Sequence, residues 1–571
     1  DMICTGKHVR ADVALQRGIL DEVVPIQPNH GLSMERLILR ARAIRFAIEV
    51  ADKDFSGRVL SRRPAPVMDE FFYVQLGNMM KKSARGFLAP KLCLEAVRAS
   101  HSTSSFEAGM KKERELFTKL ATGPQSRAQQ HVFFAQREIT KIPGIDAKAA
   151  LPIKTVGIIG CGTMGGGILM CFVERGFPVI VLESQQRFLD KGLEVVKANW
   201  MRQVKRGKLA KKRFEKYVSL ITPTLNYNDL SSVDIVIEAV FEKLSIKQEV
   251  FRKLDAVCKP SCILASNTSF IPISKIAQVV SRPNKVIGCH FFAPANKMQL
   301  LENVRFDGGA DDVTCATVQA VAKKIGKKGV LVRSCPGFVG NRMYAVEGRE
   351  AGIMLLEGAT PSQIDDVIYN DIGCAMGLFA VSDLSGIDIG YKSRKDNGLL
   401  NDANNYTVGD VLVEKYGRLG LKVGKGFYDY PNLPRSRKGV PSKFVEELIV
   451  KMSAERGITR RSFGKQEIIE RVFYPFINEG FKILEEGVAI RPSDIDVVFV
   501  FGYGFPAHKG GPMHWAESQL GLKNVYQTLC KYHQQYPDRE WFKPSDLLRK
   551  CVESKMTLSK YWRANSGKSK L

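Results

Sequence analysis

One hexapeptide limits the possible folds more than any other feature: Gly160-Cys161-Gly162-Thr163-Met164-Gly165 follows the β-branched run KTVGII and opens the apolar run GILMCFVERG. In a strand–turn–helix of this kind the first glycine permits the tight turn and the second lets a phosphate approach the backbone. The third allows close helix–strand packing, with a pyrophosphate at the positive end of the helix. The next strand-like run, PVIVLE, ends in Glu183, at the distance past the glycines where such folds place a ribose-binding acid. A carboxylate there accepts hydrogen bonds from a ribose diol and repels a 2′-phosphate, so NAD is expected rather than NADP. Further short apolar runs, DIVIEAV, CILASN and KVIGCHFF, alternate with helical patterns. Continuous apolar strands separated by helices predict a Rossmann-type, parallel, doubly wound sheet over residues 151–334.

The flanks are helical. Residues 35–50 (ERLILRARAIRFAIEV) and 110–121 (MKKERELFTKLA) carry apolar side chains at helical spacing with basic outer faces. Composition changes at residues 141–153 (KIPGIDAKAALPI), and a domain boundary is expected there. Helical patterning resumes near Gly337, and the stretch PNLPRSRKGVPSK at 431–443 is expected to link two helical units, 335–431 and 440–566. These units read as copies. LLEGATPSQIDDV and LEEGVAIRPSDIDVV align so that Pro361 and Pro492, Ile364 and Ile495, and Gly373 and Gly504 are all separated by the same length of chain. A constant offset argues for duplication. The second copy is expected to pack on the first and need not carry chemistry of its own.

Composition bounds the partners. Lys and Arg number 85 against 59 Asp and Glu, a net charge of +26, but no block of five or six consecutive like charges occurs. A polyanion-binding tail is therefore not expected, and no nucleic-acid motif is present. The 12 cysteines lack metal-site spacing and are read as reduced thiols; no metal site is expected. No apolar run reaches the roughly 18 residues of a spanning helix, and no charged-then-apolar leader opens the chain. Residue 1 is Asp rather than Met, which reads as a fragment or processed product, while Ser569-Lys570-Leu571 reads as an address for a peroxisomal import receptor.

His290 ends the apolar run KVIGCHFF, where ligands gather at the carboxyl edge of a parallel sheet. Glu302, a short way on in KMQLLEN, supplies a carboxylate that could fix the imidazole tautomer and stabilise its protonated form. Oxidising an alcohol by hydride transfer releases a proton, and histidine suits that exchange.

HFFAPANKMQLLE, SNTS at 266–269, PGFVGNR at 336–342 and GLKVGKGFYDY at 420–430 resemble, in order and spacing, the signature series of the L-3-hydroxyacyl-CoA dehydrogenase family. The similarity runs from about residue 153 to 430, and the helices after it resemble the second C-terminal domain of the multifunctional β-oxidation enzymes. The resemblance implies a catalytic dyad at His290 and Glu302, substrate contacts at Ser269 and Asn341, and a nicotinamide-side acid and lysine at Glu242 and Lys247. Many members carry Asn where this chain has Ala293, which removes one polar contact from the expected set. On the residues alone, Ser269 and Asn341 could equally be cap or turn residues.

TGKHVRADVALQRGILDEVVP, at 5–25, resembles the late strand-and-helix segment of crotonase-fold enoyl-CoA hydratases, and residues 64–142 resemble the closing helices of that fold in fused enzymes. Residues 1–63 are accordingly expected to be a crotonase remnant, with closing helices and a linker at 64–150. Hydratase and isomerase activity belong to the parent module, whose catalytic front would precede Asp1, and are not expected here. The densest basic segment, MRQVKRGKLAKKRFEK at 201–216, falls where the family binds coenzyme A, and Lys205 and Lys208 are candidate contacts; a solvated helix face explains the same charges. Taken together, the residues predict a peroxisomal, monomeric NAD-dependent oxidoreductase acting on acyl-CoA. A 6-phosphogluconate-like dehydrogenase and a non-catalytic helical scaffold are the rival readings.

Overall fold

The computed structural model describes residues 2–25, 32–396, 398, 400 and 406–565, so the terminal Ser569-Lys570-Leu571 lies outside the described residues. The chain divides into two units, Asp1–Ser126 and Arg127–Leu571. The first is helical, with its longest helices at Leu32–Val50, Glu70–Ser83, Ala89–Ser102 and Phe106–Ala121. Asp69 and Ser105 cap two of these, accepting the amides of Phe72 and Ala108. The strand expected within 5–25 does not form. That segment follows the short helix Met2–Thr5 and holds the helix Ala11–Gln16, and no strand occurs among the described residues of this unit, so none has an edge to pair with.

The division at Ser126 also precedes the boundary expected at 141–153. The helix Pro124–Glu138 buries Val132 and Ala135; His131 pairs with Asp496 at 2.8 Å and Ser493 Oγ donates to Glu138 at 2.7 Å. It therefore packs with the second unit. The composition change marks where this helix gives way to the sheet.

The sheet comprises β1 (Val156–Ile159), β2 (Val179–Leu182), β3 (Ile221–Thr224), β4 (Ile235–Glu238), β5 (Ile263–Ser266), β6 (Val286–Phe291), β7 (Leu300–Arg305) and β8 (Lys328–Arg333), in the order β3-β2-β1-β4-β5-β6-β7-β8. Strands β1 to β6 are parallel; all but the edge strand β3 are buried apolar runs, as strands covered by helices on both faces require. Beyond the parallel strands the sheet continues with β7, which runs antiparallel to β6, and β8, parallel to β7. Only the short loop between Phe291 and Leu300 joins the two strands. A parallel crossover needs about a dozen residues or more, so the chain must turn straight back. Helices α1 (Thr163–Val173), α2 (Gln186–Lys205), α3 (Lys211–Ser219) and α4 (Leu244–Val257) complete the nucleotide-binding half.

The first helical copy contains α5 (Gly340–Glu357), α6 (Pro361–Asp366) and α7 (Leu378–Ser385); the second contains α8 (Lys465–Glu485), α9 (Pro492–Gly502) and α10 (Pro512–Trp515). Their common origin shows in equivalent bonds. Asp365 accepts the amides of Phe379 and Ala380 at the start of α7, and Asp496, its counterpart in the repeat, accepts those of Met513 and His514 at the start of α10. Each carboxylate satisfies amides that a first helical turn leaves without partners.

Helices α5 and α8 pack together and exchange ion pairs in both directions. Arg342 binds Glu479 at 2.6 Å and Glu486 at 2.5 Å, while Arg471 binds Glu350 at 2.7 Å and Glu357 at 2.5 Å. Arg342 and Arg471, Glu350 and Glu479, and Glu357 and Glu486 share a single offset along the chain, so the two copies meet about a pseudo-two-fold axis, as subunits do across an isologous interface. The stretch at 431–443 is more ordered than a linker: Tyr428–Asp429 pairs antiparallel with Val440–Pro441, and the helix Lys443–Glu455 follows. The cysteines are free thiols. Among the described residues no helix is long and apolar enough to cross a membrane, and no group of side chains could hold a metal ion.

Candidate active site

Between β1 and α1 the glycine loop has the shape a dinucleotide requires. Gly160 has φ +93°, and a Cβ on it would lie 2.8 Å from the Ala239 carbonyl. A Cβ on Gly165 would lie 1.8 Å from the Gly160 carbonyl, so only glycine lets α1 start this close to the strand. Gly162 faces open space and precedes α1 without a side-chain cap, which leaves the helix amides for a pyrophosphate. Glu183, just past β2, accepts the amides of Cys161 at 2.8 Å and Ser184 at 3.0 Å. Each of its oxygens keeps a lone pair for a ribose hydroxyl. Burial, then the Glu183 carboxylate, push the Cys161 thiol up to about 12, so this cysteine remains neutral. These residues fit NAD.

At the far edge of the parallel strands, His290 and Glu302 are register partners across the β6–β7 pair. His290 Nδ1 lies 2.8 Å from Glu302 Oε2, and the two residues are 5% and 0% exposed. The carboxylate holds the proton on Nδ1 and leaves Nε2 as acceptor. Ser269 Oγ lies 3.3 Å from Nε2, and Phe292 and Phe338 pack on the ring at 4.4 and 5.6 Å between centroids. The second Glu302 oxygen accepts the amide of Gly340 at 3.1 Å. This amide is delivered by a tight turn in which Gly337 has φ +78° and Phe338, fully buried, has φ +51°. A bulky residue in that region is strained, and such strain collects at functional sites.

Glu242 closes the constellation from the β4 side. Its Oε1 accepts Thr268 Oγ1 at 2.5 Å and the Ser269 amide at 2.9 Å, which positions the loop carrying Ser269. Burial opposes its ionisation, but Lys247 and these donors prevail and hold the carboxyl below its ordinary value. Lys247 is placed differently from a surface contact. It is 1% exposed, with Nζ 2.7 Å from Glu238 and 3.2 Å from Glu242, so it supports Glu242 from beneath. Glu238 itself, fully buried and accepting Ser266 Oγ at 2.7 Å, escaped the sequence reading. Its signal was an acid closing the apolar strand IVIE, where an unpaired carboxylate would be costly.

Asn341 lies in the first turn of α5, and its Oδ1 accepts the phenol of Tyr503 at 2.7 Å. Tyr503 comes from the second helical copy, so this copy, besides packing on the first, reaches Asn341. Lys205 and Lys208 are exposed at the turn between α2 and α3; the basic segment is a helical hairpin rather than one helix face.

A dinucleotide loop beside a carboxylate-oriented histidine can accept an alcohol proton while hydride leaves the same carbon, the arrangement of a Rossmann-fold, NAD-dependent alcohol dehydrogenase. The family description "3-hydroxyacyl-CoA dehydrogenase, NAD binding domain" matches residues 155–335, and "3-hydroxyacyl-CoA dehydrogenase, C-terminal domain" matches 337–430 and 468–560. The chain belongs to the 3-hydroxyacyl-CoA dehydrogenase family, and its cofactor is NAD. It is 38% identical to the peroxisomal bifunctional enzyme of Danio rerio, over 99% of this chain and 78% of that protein, and 38% identical to that of Homo sapiens, over 99% and 79%. Similar solved structures include the 3-hydroxybutyryl-CoA dehydrogenase of Escherichia coli, with a TM-score of 0.59 and 26% identity over 71% of this chain and all of that one. The dehydrogenase part of multifunctional enzyme 1 from C. elegans has a TM-score of 0.54 and 28% identity, over 73% of this chain and 96% of its own.

Proposed function

We propose that this protein oxidises (3S)-hydroxyacyl-CoA to 3-oxoacyl-CoA in peroxisomal fatty-acid β-oxidation, with His290 as the catalytic base. The observation that carries the assignment is the buried His290–Glu302 pair, whose Nε2 faces Ser269 at the sheet edge where Asn341 also lies. Bound NAD⁺ supplies the hydride acceptor. His290 Nε2 takes the proton of the C3 hydroxyl; Glu302 then stabilises the imidazolium through Nδ1. Ser269 and Asn341 hold the substrate oxygens by hydrogen bonds. Gly160 and Gly165 shape the turn so that Gly162 and the first amides of α1 receive the pyrophosphate of the cofactor; Glu183 receives the adenosine ribose, and Glu242, braced by Lys247, borders its nicotinamide end. Lys205 and Lys208 offer positive charge to the phosphates of coenzyme A.

The relatives above are named for the peroxisome, and Ser569-Lys570-Leu571 is the tripeptide an import receptor would bind. The pseudo-two-fold pairing within one chain supports a monomer. The decisive experiment follows NADH consumption with acetoacetyl-CoA. His290→Ala should lower the rate about 10² to 10⁴-fold, the usual loss for a positioned acid/base, with NADH affinity unchanged. Near-native turnover in that variant would overturn the assignment.

A further inference from the structure

Tyr503 caps the C-terminus of α9 in the second helical copy, far along the chain from the asparagine it binds. Its ring is fixed by Phe499 at 4.9 Å, Phe292 at 5.4 Å and Tyr344 at 5.5 Å between centroids, and Phe292 in turn packs on His290. Gly340 makes room for it: a Cβ there would lie 2.4 Å from the tyrosine ring. The same residue gives its amide to Glu302. One glycine thus holds the dyad carboxylate with its N–H and admits the phenol beside its Cα. Burial, then the Glu302 carboxylate and Tyr344, raise the Tyr503 phenol well above its ordinary value, so it stays protonated and donates.

A side-chain amide has a donor end and an acceptor end, and only one of them suits a substrate oxygen. The phenol fixes Oδ1 of Asn341 on its own side, which turns the Nδ2 end of the planar amide away from Tyr503. We propose that Tyr503 is a positioning residue for the dehydrogenase reaction: the second helical copy orients the Asn341 amide so that its N–H groups meet the oxygen of the hydroxyacyl substrate. This rests on the substrate role given to Asn341 above. The device is one-sided. At the corresponding places in the repeat, Tyr503 is matched by Ile372 and Asn341 by Glu470, so the second copy has no equivalent amide.

The test is a double-mutant cycle on the full chain, reading kcat and KM for acetoacetyl-CoA, NADH affinity and melting temperature. Tyr503→Phe keeps the ring and removes the donor; kcat/KM should fall about tenfold, near the upper range for one hydrogen bond, with NADH affinity unchanged. Asn341→Ala should also lower kcat/KM, and adding Tyr503→Phe to it should cost nothing more, because the phenol then has no amide to orient. Wild-type kcat/KM in Tyr503→Phe beside an impaired Asn341→Ala overturns this proposal alone. Losses that multiply also overturn it, since a merely structural effect, seen as a lower melting temperature, persists without Asn341. Wild-type rates in Asn341→Ala overturn the reading of that asparagine and this proposal together.

Discussion

Asn341 in the first helical copy corresponds to Glu470 in the second, Gly340 to Ile469, and the buried Glu347 to Phe476. Most positions of the two helices differ in this way, whereas the charged residues that pair the copies did not change. Arg342 and Arg471, Glu350 and Glu479, and Glu357 and Glu486 make the same reciprocal pairs, yet in different surroundings. The Arg471 and Glu350 side chains are fully buried and Glu357 is 14% exposed, whereas their counterparts Arg342, Glu479 and Glu486 are 19%, 12% and 49% exposed. Arg539 and Trp541 add further bonds to Glu350. Duplication thus kept the connectivity of an interface while one half was buried and the other stayed near water. Connectivity and energetic weight are separate properties of an ion pair.

The contrast can be broken first at Arg471. Arg471→Met leaves Glu350 buried with Arg539 as its remaining cationic partner and should destabilise the protein by about 3–5 kcal/mol in chemical denaturation. A loss under about 1 kcal/mol would mean that burial does not separate the two halves. Glu347 tests the next difference. Burial, then the nearby Asp365 carboxylate, push its carboxyl up to about 8. The folded state therefore binds this proton more tightly than the unfolded chain. Its contribution to stability is fully present below about pH 4.5 and is lost as pH rises through about 8. Glu347→Gln should flatten the decline of unfolding free energy over that window, by an amount on the order of a few kcal/mol, leaving the smaller shares of Asp365 and Asp494, raised to about 6 and about 7. An unchanged slope would place the charged form of Glu347 in contact with water. The smallest effect belongs to Arg342→Met, about 2 kcal/mol: Glu486 recovers hydration when the guanidinium is removed, whereas the nearly buried Glu479 keeps only Lys482, 3.9 Å away.

Local features of the sequence carried most of the nucleotide-binding half. The glycine hexapeptide, the acid closing β2 and the apolar strands are short-range patterns, and the structure places Gly160, Gly162, Gly165 and Glu183 together at the loop. His290 and Glu302 were legible as residues, but their pairing depends on β7 turning back, which periodicity does not report; the shortness of the connection does. The buried Glu238–Lys247 pair was half visible, since an ammonium at 1% exposure implies a carboxylate that no spacing rule supplies. Tyr503 was hidden for another reason. Its partner belongs to the other helical copy, and its own segment read as a structural duplicate. The available signal was the exchange of Ile372 for Tyr503 beside the paired glycines, a polar tip added where the repeat has an aliphatic side chain.

The pseudo-two-fold axis between α5 and α8 has a consequence for how the enzyme behaves in dilute solution. Where an isologous contact joins two separate molecules, its occupancy falls with protein concentration, and any site that borrows a residue across it falls too. Here both halves are tethered on one chain, so each meets the other at a local concentration set by the intervening residues rather than by the number of molecules present. The site that Tyr503 completes therefore stays assembled at any dilution at which the chain stays folded.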